Sequence, residues 1–128
     1  LMIHGIGTDL LAIERIRSLY NSNPEDAFFR LTFTEQERSL ILSRPAPLYS
    51  YATRFAGKEA VFKALRIHSD NIRLNEIEIL EDKTGAPTVT LLGNARLLAD
   101  QLQISFIHIS LSYDTEYASA YVICEKDF

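Results

Sequence analysis

The hydrophobic pattern changes period twice along the chain. Residues 3–9, Ile-His-Gly-Ile-Gly-Thr-Asp, alternate. That alternation predicts a strand with Gly5, Gly7 and Asp9 on one face and Ile6 and Leu10 on the other. Two glycines weaken a strand and leave bare backbone that another element or a ligand can approach closely. From Leu11 to Tyr20 the spacing is helical, with Asp9 placed to cap that helix. Asn21-Ser-Asn-Pro24 reads as a turn, and Pro24 can open a short helix through Phe28, Phe29 and Leu31. Thr34-Glu-Gln-Glu37 is a capping box ahead of Leu40, Ile41 and Leu42. Ser43-Arg-Pro-Ala-Pro47 breaks the pattern, and a long helix follows from about Leu48 to Ile67.

From Ile72 the period becomes two. Leu74, Ile77 and Ile79 read as a strand, Lys83-Thr-Gly-Ala-Pro87 as a turn, and Thr88 to Leu92 as the returning strand. Asn94 to Leu102 is a short amphipathic helix, and Ile104–Ser112 and Tyr117–Cys124 are two further strands. This order predicts an α+β fold, a mainly antiparallel sheet packed against the long central helix, in one domain spanning residues 1–128.

The long helix carries an anomaly. At roughly 100° per residue, Leu48, Tyr51, Ala52, Phe55 and Phe62 fall on one apolar stripe. Glu59 sits inside that stripe, where periodicity asks for a leucine. A carboxylate there is costly unless something positive meets it. Asp9, at the end of the glycine-bearing strand, is the candidate companion. Two carboxylates together repel, and one stays protonated unless a cation lies between them. A hard cation such as Mg²⁺ suits few protein carboxylates, with waters and phosphate oxygens filling its other positions. Lys63, Arg54 and Lys58 would then face phosphate groups. The competing reading is structural: Glu59 pairs with Lys63 one turn on, and Asp9 caps a helix.

Composition narrows the classes. A net charge of −4 over 128 residues argues against a general nucleic-acid binder. The single cysteine, Cys124, lies in an apolar run, forms no internal disulfide, and reads as a small core residue. No apolar run approaches the roughly 20 residues of a membrane span and no signal peptide is visible, so a cytoplasmic location is expected. Gly5-x-Gly7 lacks the third glycine of a dinucleotide fingerprint, position 10 being Leu. His4, His68 and His108 have no His or Cys partner at ligand spacing.

Taken together, Gly5-Ile-Gly-Thr-Asp9 and Arg54-Phe-Ala-Gly-Lys-Glu-Ala60 with Lys63 resemble the holo-acyl-carrier-protein synthase family, the short 4′-phosphopantetheinyl transferases. Arg15-Ile16, Phe33-Thr34-x-x-Glu37, Gly85-x-Pro87, the late Ile-Ser-Leu-Ser and Glu116-Tyr-Ala118 match in order along the whole chain. The resemblance implies transfer of phosphopantetheine from coenzyme A to a serine of apo acyl carrier protein, leaving adenosine 3′,5′-bisphosphate, in support of fatty acid biosynthesis. It also implies Mg²⁺ dependence and a homotrimer with active sites between subunits. Carried over by motif, Asp9 and Glu59 are metal ligands and catalytic, and Lys63 is a catalytic contact to the coenzyme A phosphates. Arg54 and Lys58 are further coenzyme A contacts or members of structural ion pairs, and Gly85 and Pro87 match a loop near the nucleotide. Arg15 resembles the arginine that meets the acidic carrier protein, and Arg17 is expected to join it in a local patch. The proton acceptor for the serine stays open between Glu59 and a water on the metal.

The chain departs from the family in two places. Relatives often carry histidine where this chain has Tyr113-Asp114, so no role of that histidine transfers. Gly57 stands where alanine is common, at a cost of about 1 kcal/mol in helix propensity. Two rivals remain, a coenzyme A-binding regulatory module without catalysis and a purely structural trimerising domain. Neither needs a metal between two acids.

Overall fold

The computed structural model describes residues 1–127. The chain runs β1 (Met2–Ala12), α1 (Ile13–Ser22), α2 (Ala27–Thr32), α3 (Glu35–Leu42) and α4 (Pro47–Ala64). A 3-10 turn (Leu74–Glu76), β2 (Ile77–Glu81), β3 (Pro87–Leu91), α5 (Gly93–Gln101), β4 (Ile104–Tyr113) and β5 (Tyr117–Lys126) follow. Every strand pairing is antiparallel: β5 lies between β1 and β4 in one sheet, and β2 and β3 form a second. With α4 packed across the larger sheet, the architecture is the expected α+β arrangement.

Several details differ from the sequence reading, among them the end of α4, which stops at Ala64 rather than near Ile67. β1 continues past Asp9 because its pairing with β5 holds to Ala12 opposite Tyr117, so α1 starts at Ile13 with Ala12 as N-cap. Asp9 is therefore a strand residue and caps nothing. Pro24 precedes rather than opens α2, whose cap is Asp26, accepting from the Phe28 amide at 2.8 Å. Leu74 belongs to the 3-10 turn ahead of β2, not to the strand itself.

The glycine face of β1 acts as the alternation implied. Gly5 and Gly7 are buried under α4, while Ile6 and Leu10 stand on the opposite, uncovered face. A Cβ on Gly5 would lie 2.1 Å from the Ala64 carbonyl oxygen, and one on Gly7 would lie 1.8 Å from that of Ala60. Two strand residues advance nearly as far as one helical turn, so Gly5 and Gly7 meet α4 at successive turns. On the helix, Ala52, Ala56, Ala60 and Ala64 are fully buried, giving small residues on both sides of the contact.

α4 is buried around most of its circumference, which corrects the single stripe expected of it. Phe55, Glu59 and Phe62 are only half-buried, and Lys63 is exposed. The fully buried charge on α4 is Lys58, which no solvent reaches. Its ammonium donates to Glu37 Oε1 at 2.7 Å and to the carbonyls of Leu74 (2.9 Å) and Ile77. Glu37, also fully buried, closes the capping box with Thr34 and accepts from the Ile79 amide at 2.8 Å. All partners are satisfied, the condition under which a buried ion pair persists. This pair ties α3, α4 and β2 together.

The Gly7 contact has backbone on both sides, so neither partner can yield by changing a rotamer. Gly7→Ala is expected to destabilise the fold by about 3 kcal/mol, overpacking against main chain being costlier than against side chains. The urea midpoint checks this, and an unchanged midpoint would mean that β1 and α4 separate freely.

Candidate active site

The residue after Gly7 on the same face of β1 is Asp9, set beside the flank of α4 that carries Glu59 and Lys63. Lys63 Nζ lies 3.3 Å from Asp9 Oδ1 and donates to the Thr8 carbonyl at 2.9 Å. The Asp9 side chain retains 17% of its exposure and that of Lys63 retains 56%. Glu59 is half-buried in the same place. Loss of water, and next the negative charge of Asp9, push its carboxyl above the ordinary carboxylate range. Lys63 and Arg15 oppose that rise, which puts one acid and two cations around Glu59. The structure thus brings together Asp9, Glu59, Lys63 and Arg15 from β1, α4 and α1.

No group of three or more His, Cys, Asp or Glu converges among the described residues. The donor set at Asp9 and Glu59 is two carboxylates that repel each other. Such a set fits a hard divalent cation completed by waters and phosphate oxygens, and does not fit a metal that needs a closed nitrogen or sulfur shell.

Arg54 sits elsewhere. It is buried, its Nε donates to the Ile79 carbonyl at 3.0 Å, and its guanidinium lies 3.7 Å from Glu81. Arg44 also bonds Glu81, so one carboxylate serves two arginines. Arg44, Arg54, Tyr49 and Tyr113 line an open concavity of about 380 Å³. Tyr49 and Tyr113 stack with ring centroids 5.1 Å apart. The Gly85–Pro87 turn follows Glu81 directly. There the Asp82 carboxylate accepts from the Thr84 and Ala86 amides, and Gly85 has φ +88, a conformation that favours glycine. Of the two roles that the resemblance gave Lys58, it occupies the structural one: enclosed and fully bonded, its ammonium has no opening toward a ligand.

Arg15 and Arg17 do not form one patch. Arg15 is exposed near Glu59, whereas Arg17 bonds Glu14 at 2.7 Å and lies 3.4 Å from the Thr115 carbonyl. Two residues apart on a helix, they point to different sides. Sequence reasoning missed Arg44, Tyr49 and Glu81. Arg44 stood in a segment read only as a helix breaker, and nothing in its neighbours marked it.

A family model described as the 4′-phosphopantetheinyl transferase superfamily matches residues 5–122. A holo-acyl-carrier-protein synthase of Lachnoclostridium phytofermentans is 41% identical over 124 residues, 97% of each chain. One from Vibrio cholerae is 39% identical over 126 residues, 98% of this chain and 99% of its own. Among solved structures, the Neisseria meningitidis holo-acyl-carrier-protein synthase superposes with a TM-score of 0.88 at 29% identity, covering 98% of this chain and all of that one. The Bacillus anthracis enzyme, in complex with CoA (3′,5′-ADP), superposes at 0.80 with 27% identity over 99% of this chain and 100% of that one. This chain belongs to the holo-acyl-carrier-protein synthase family.

The raised Glu59 carboxyl has a consequence for stability. Because its folded value lies above the unfolded one, its contribution is present at low pH and is lost as pH rises through the folded value. Without metal, Glu59→Gln is expected to melt higher than wild type at pH 7 and to match it at pH 4. Thermal denaturation at the two pH values tests this, and a variant less stable at pH 7 would contradict the electrostatic account.

Proposed function

We propose that Asp9 and Glu59 hold a Mg²⁺ ion and form the centre at which this chain performs the reaction of its family. That reaction moves the 4′-phosphopantetheine group of coenzyme A to a serine hydroxyl of apo acyl carrier protein. The observation that carries the reading is the convergence of two carboxylates, one with raised proton affinity, beside an exposed ammonium. Bound there, the ion would neutralise charge that develops on the diphosphate as the P–O bond breaks. Lys63 is held at the rim by Asp9 and the Thr8 carbonyl, with enough exposure to turn to a phosphate oxygen. The half-buried surroundings of Glu59 strengthen each of these interactions by excluding water.

Arg54, with Gly85 and Pro87 on the neighbouring turn, would hold the nucleotide end of coenzyme A, and Arg44 joins them. These residues lie toward β4, the opposite edge of the larger sheet from Asp9 on β1. A homotrimer that sets the β1 edge of one subunit against the β4 side of the next would bring both groups to one substrate. The uncovered sheet face supports assembly: Ile6, Leu10 and Tyr121 are 63%, 70% and 61% exposed. Arg15, exposed and without a hydrogen bond to another described residue, would receive the acidic carrier protein. Arg17, held by Glu14 on another side of α1, would lie outside that contact.

Incubation with coenzyme A, Mg²⁺ and apo acyl carrier protein is expected to add about 340 Da to the carrier by mass spectrometry. Glu59→Gln should lower transfer by at least about 100-fold while the circular dichroism spectrum is retained. Full activity in that variant would sink the metal assignment. Coenzyme A binding with no mass gain on any carrier would instead favour a regulatory module. Light scattering tests the assembly: a trimer is expected, and a fully active monomer would contradict a shared site.

A further inference from the structure

The uncovered face of the β1–β5–β4 sheet is mostly apolar or neutral, and one charged pair stands within it. His108 Nε2 lies 2.6 Å from Glu125 Oε1 across β4 and β5. Glu125 is on the central strand, flanked in register by Ile3 of β1 and Phe106 of β4. His108 occupies the adjoining row, opposite Ile123, which itself faces Ile6. The Phe106 and His108 rings stack with centroids 6.0 Å apart. The Glu125 side chain keeps 29% of its exposure and that of His108 keeps 56%, so a covering surface would dehydrate both.

We propose that the His108–Glu125 pair makes self-assembly through this face pH-sensitive, with assembly favoured at mildly acidic pH. The inference rests on the reading that copies of this chain cover the face. With the imidazole protonated, the pair is neutral overall and can be buried with its hydrogen bond intact. With the imidazole neutral, assembly encloses the Glu125 charge among Ile3, Ile6, Phe106 and Ile123 without a counter-charge, which disfavours it. As a side-chain type, imidazole is the one whose charge ordinarily changes near neutrality. From β5, Tyr121 is the further polar side chain in these rows. From β1, Ile3, Ile6 and Thr8 present no charge, and on β4 the neighbours are Phe106 and Ser110. By alternation Lys126 lies on the inner side, and Asp127, at the sheet's end, bonds Ser105 at 2.7 Å. α4 packs on the other face of the sheet and presents nothing to the pair.

The experiment is sedimentation velocity across protein concentration at pH 6 and pH 8, in constant ionic strength, on the full chain and two variants. Self-association of the wild type should be at least about tenfold weaker per subunit at pH 8 than at pH 6, the change expected when assembly takes up about half a proton per subunit averaged over that interval. Glu125→Gln removes the charge that becomes stranded and should assemble comparably at both pH values. His108→Gln strands Glu125 at every pH and should assemble weakly throughout. Equal association of the wild type at both pH values, or an undiminished pH dependence in Glu125→Gln, would overturn the proposal. A wild type that is monomeric at both pH values would overturn the assembly reading and the proposal with it. A pH-independent trimer would overturn the switch alone.

Discussion

The approach of α4 to β1 is the constraint on which the rest depends. Gly5 and Gly7 remove side chains from the strand, and the alanines of α4 remove bulk from the helix, so the two backbones meet directly. Because main chain faces main chain, the spacing has little freedom to relax. The same contact fixes where Asp9 stands, one step further along the strand face, against the flank bearing Lys63 and Glu59. Structural and chemical demands are thereby joined. A device that packs a helix also holds two repelling carboxylates together.

The three cations of α4 that look alike in sequence are sorted by environment. Lys58 is fully enclosed, bonded to Glu37 and two carbonyls, and links three elements of the core. Burial lowers its proton affinity and the Glu37 carboxylate partly restores it. Arg54 is buried, shares Glu81 with Arg44 and lines a concavity. Lys63 alone keeps more than half of its side chain in solvent. Removing Lys58 would leave a buried anion unpaired, whereas removing Lys63 would leave the core untouched. The two lysines five residues apart therefore belong to the core and to the candidate site respectively.

Much of this was legible in the sequence, though not always for the right reason. The order of elements, the capping box and the glycine face of β1 followed from periodicity and local chemistry, which are properties of neighbouring residues. Glu59 was singled out as a carboxylate inside an apolar stripe with Phe55 and Phe62. Those three are in fact on the less buried side of α4, and the tightly packed side is the alanine and glycine one. Periodicity weights large side chains and so overlooks a face built from small ones. The Lys58–Glu37 pair escaped because its partners are 21 residues apart and Glu37 already had a local role in the capping box. Arg44 and Glu81 escaped for the same reason, being joined only when β2 folds beside the start of α4.

The placement of the two residue groups explains why a chain this small leaves an apolar sheet face bare. Asp9 and Glu59 lie toward one edge of the sheet, and Arg54 lies on the side near the other, beside Tyr113 of β4. A single domain of this size has no further layer with which to cover the face between them. If copies of the chain supply that layer, the surface that drives assembly also brings the two groups into one site. On that reading the exposed Ile6, Leu10 and Tyr121 are part of how the catalytic residues meet their substrate. On the proposed assignment catalytic competence would then require assembly, because the carboxylate pair and Arg54 lie toward opposite edges of one subunit's sheet.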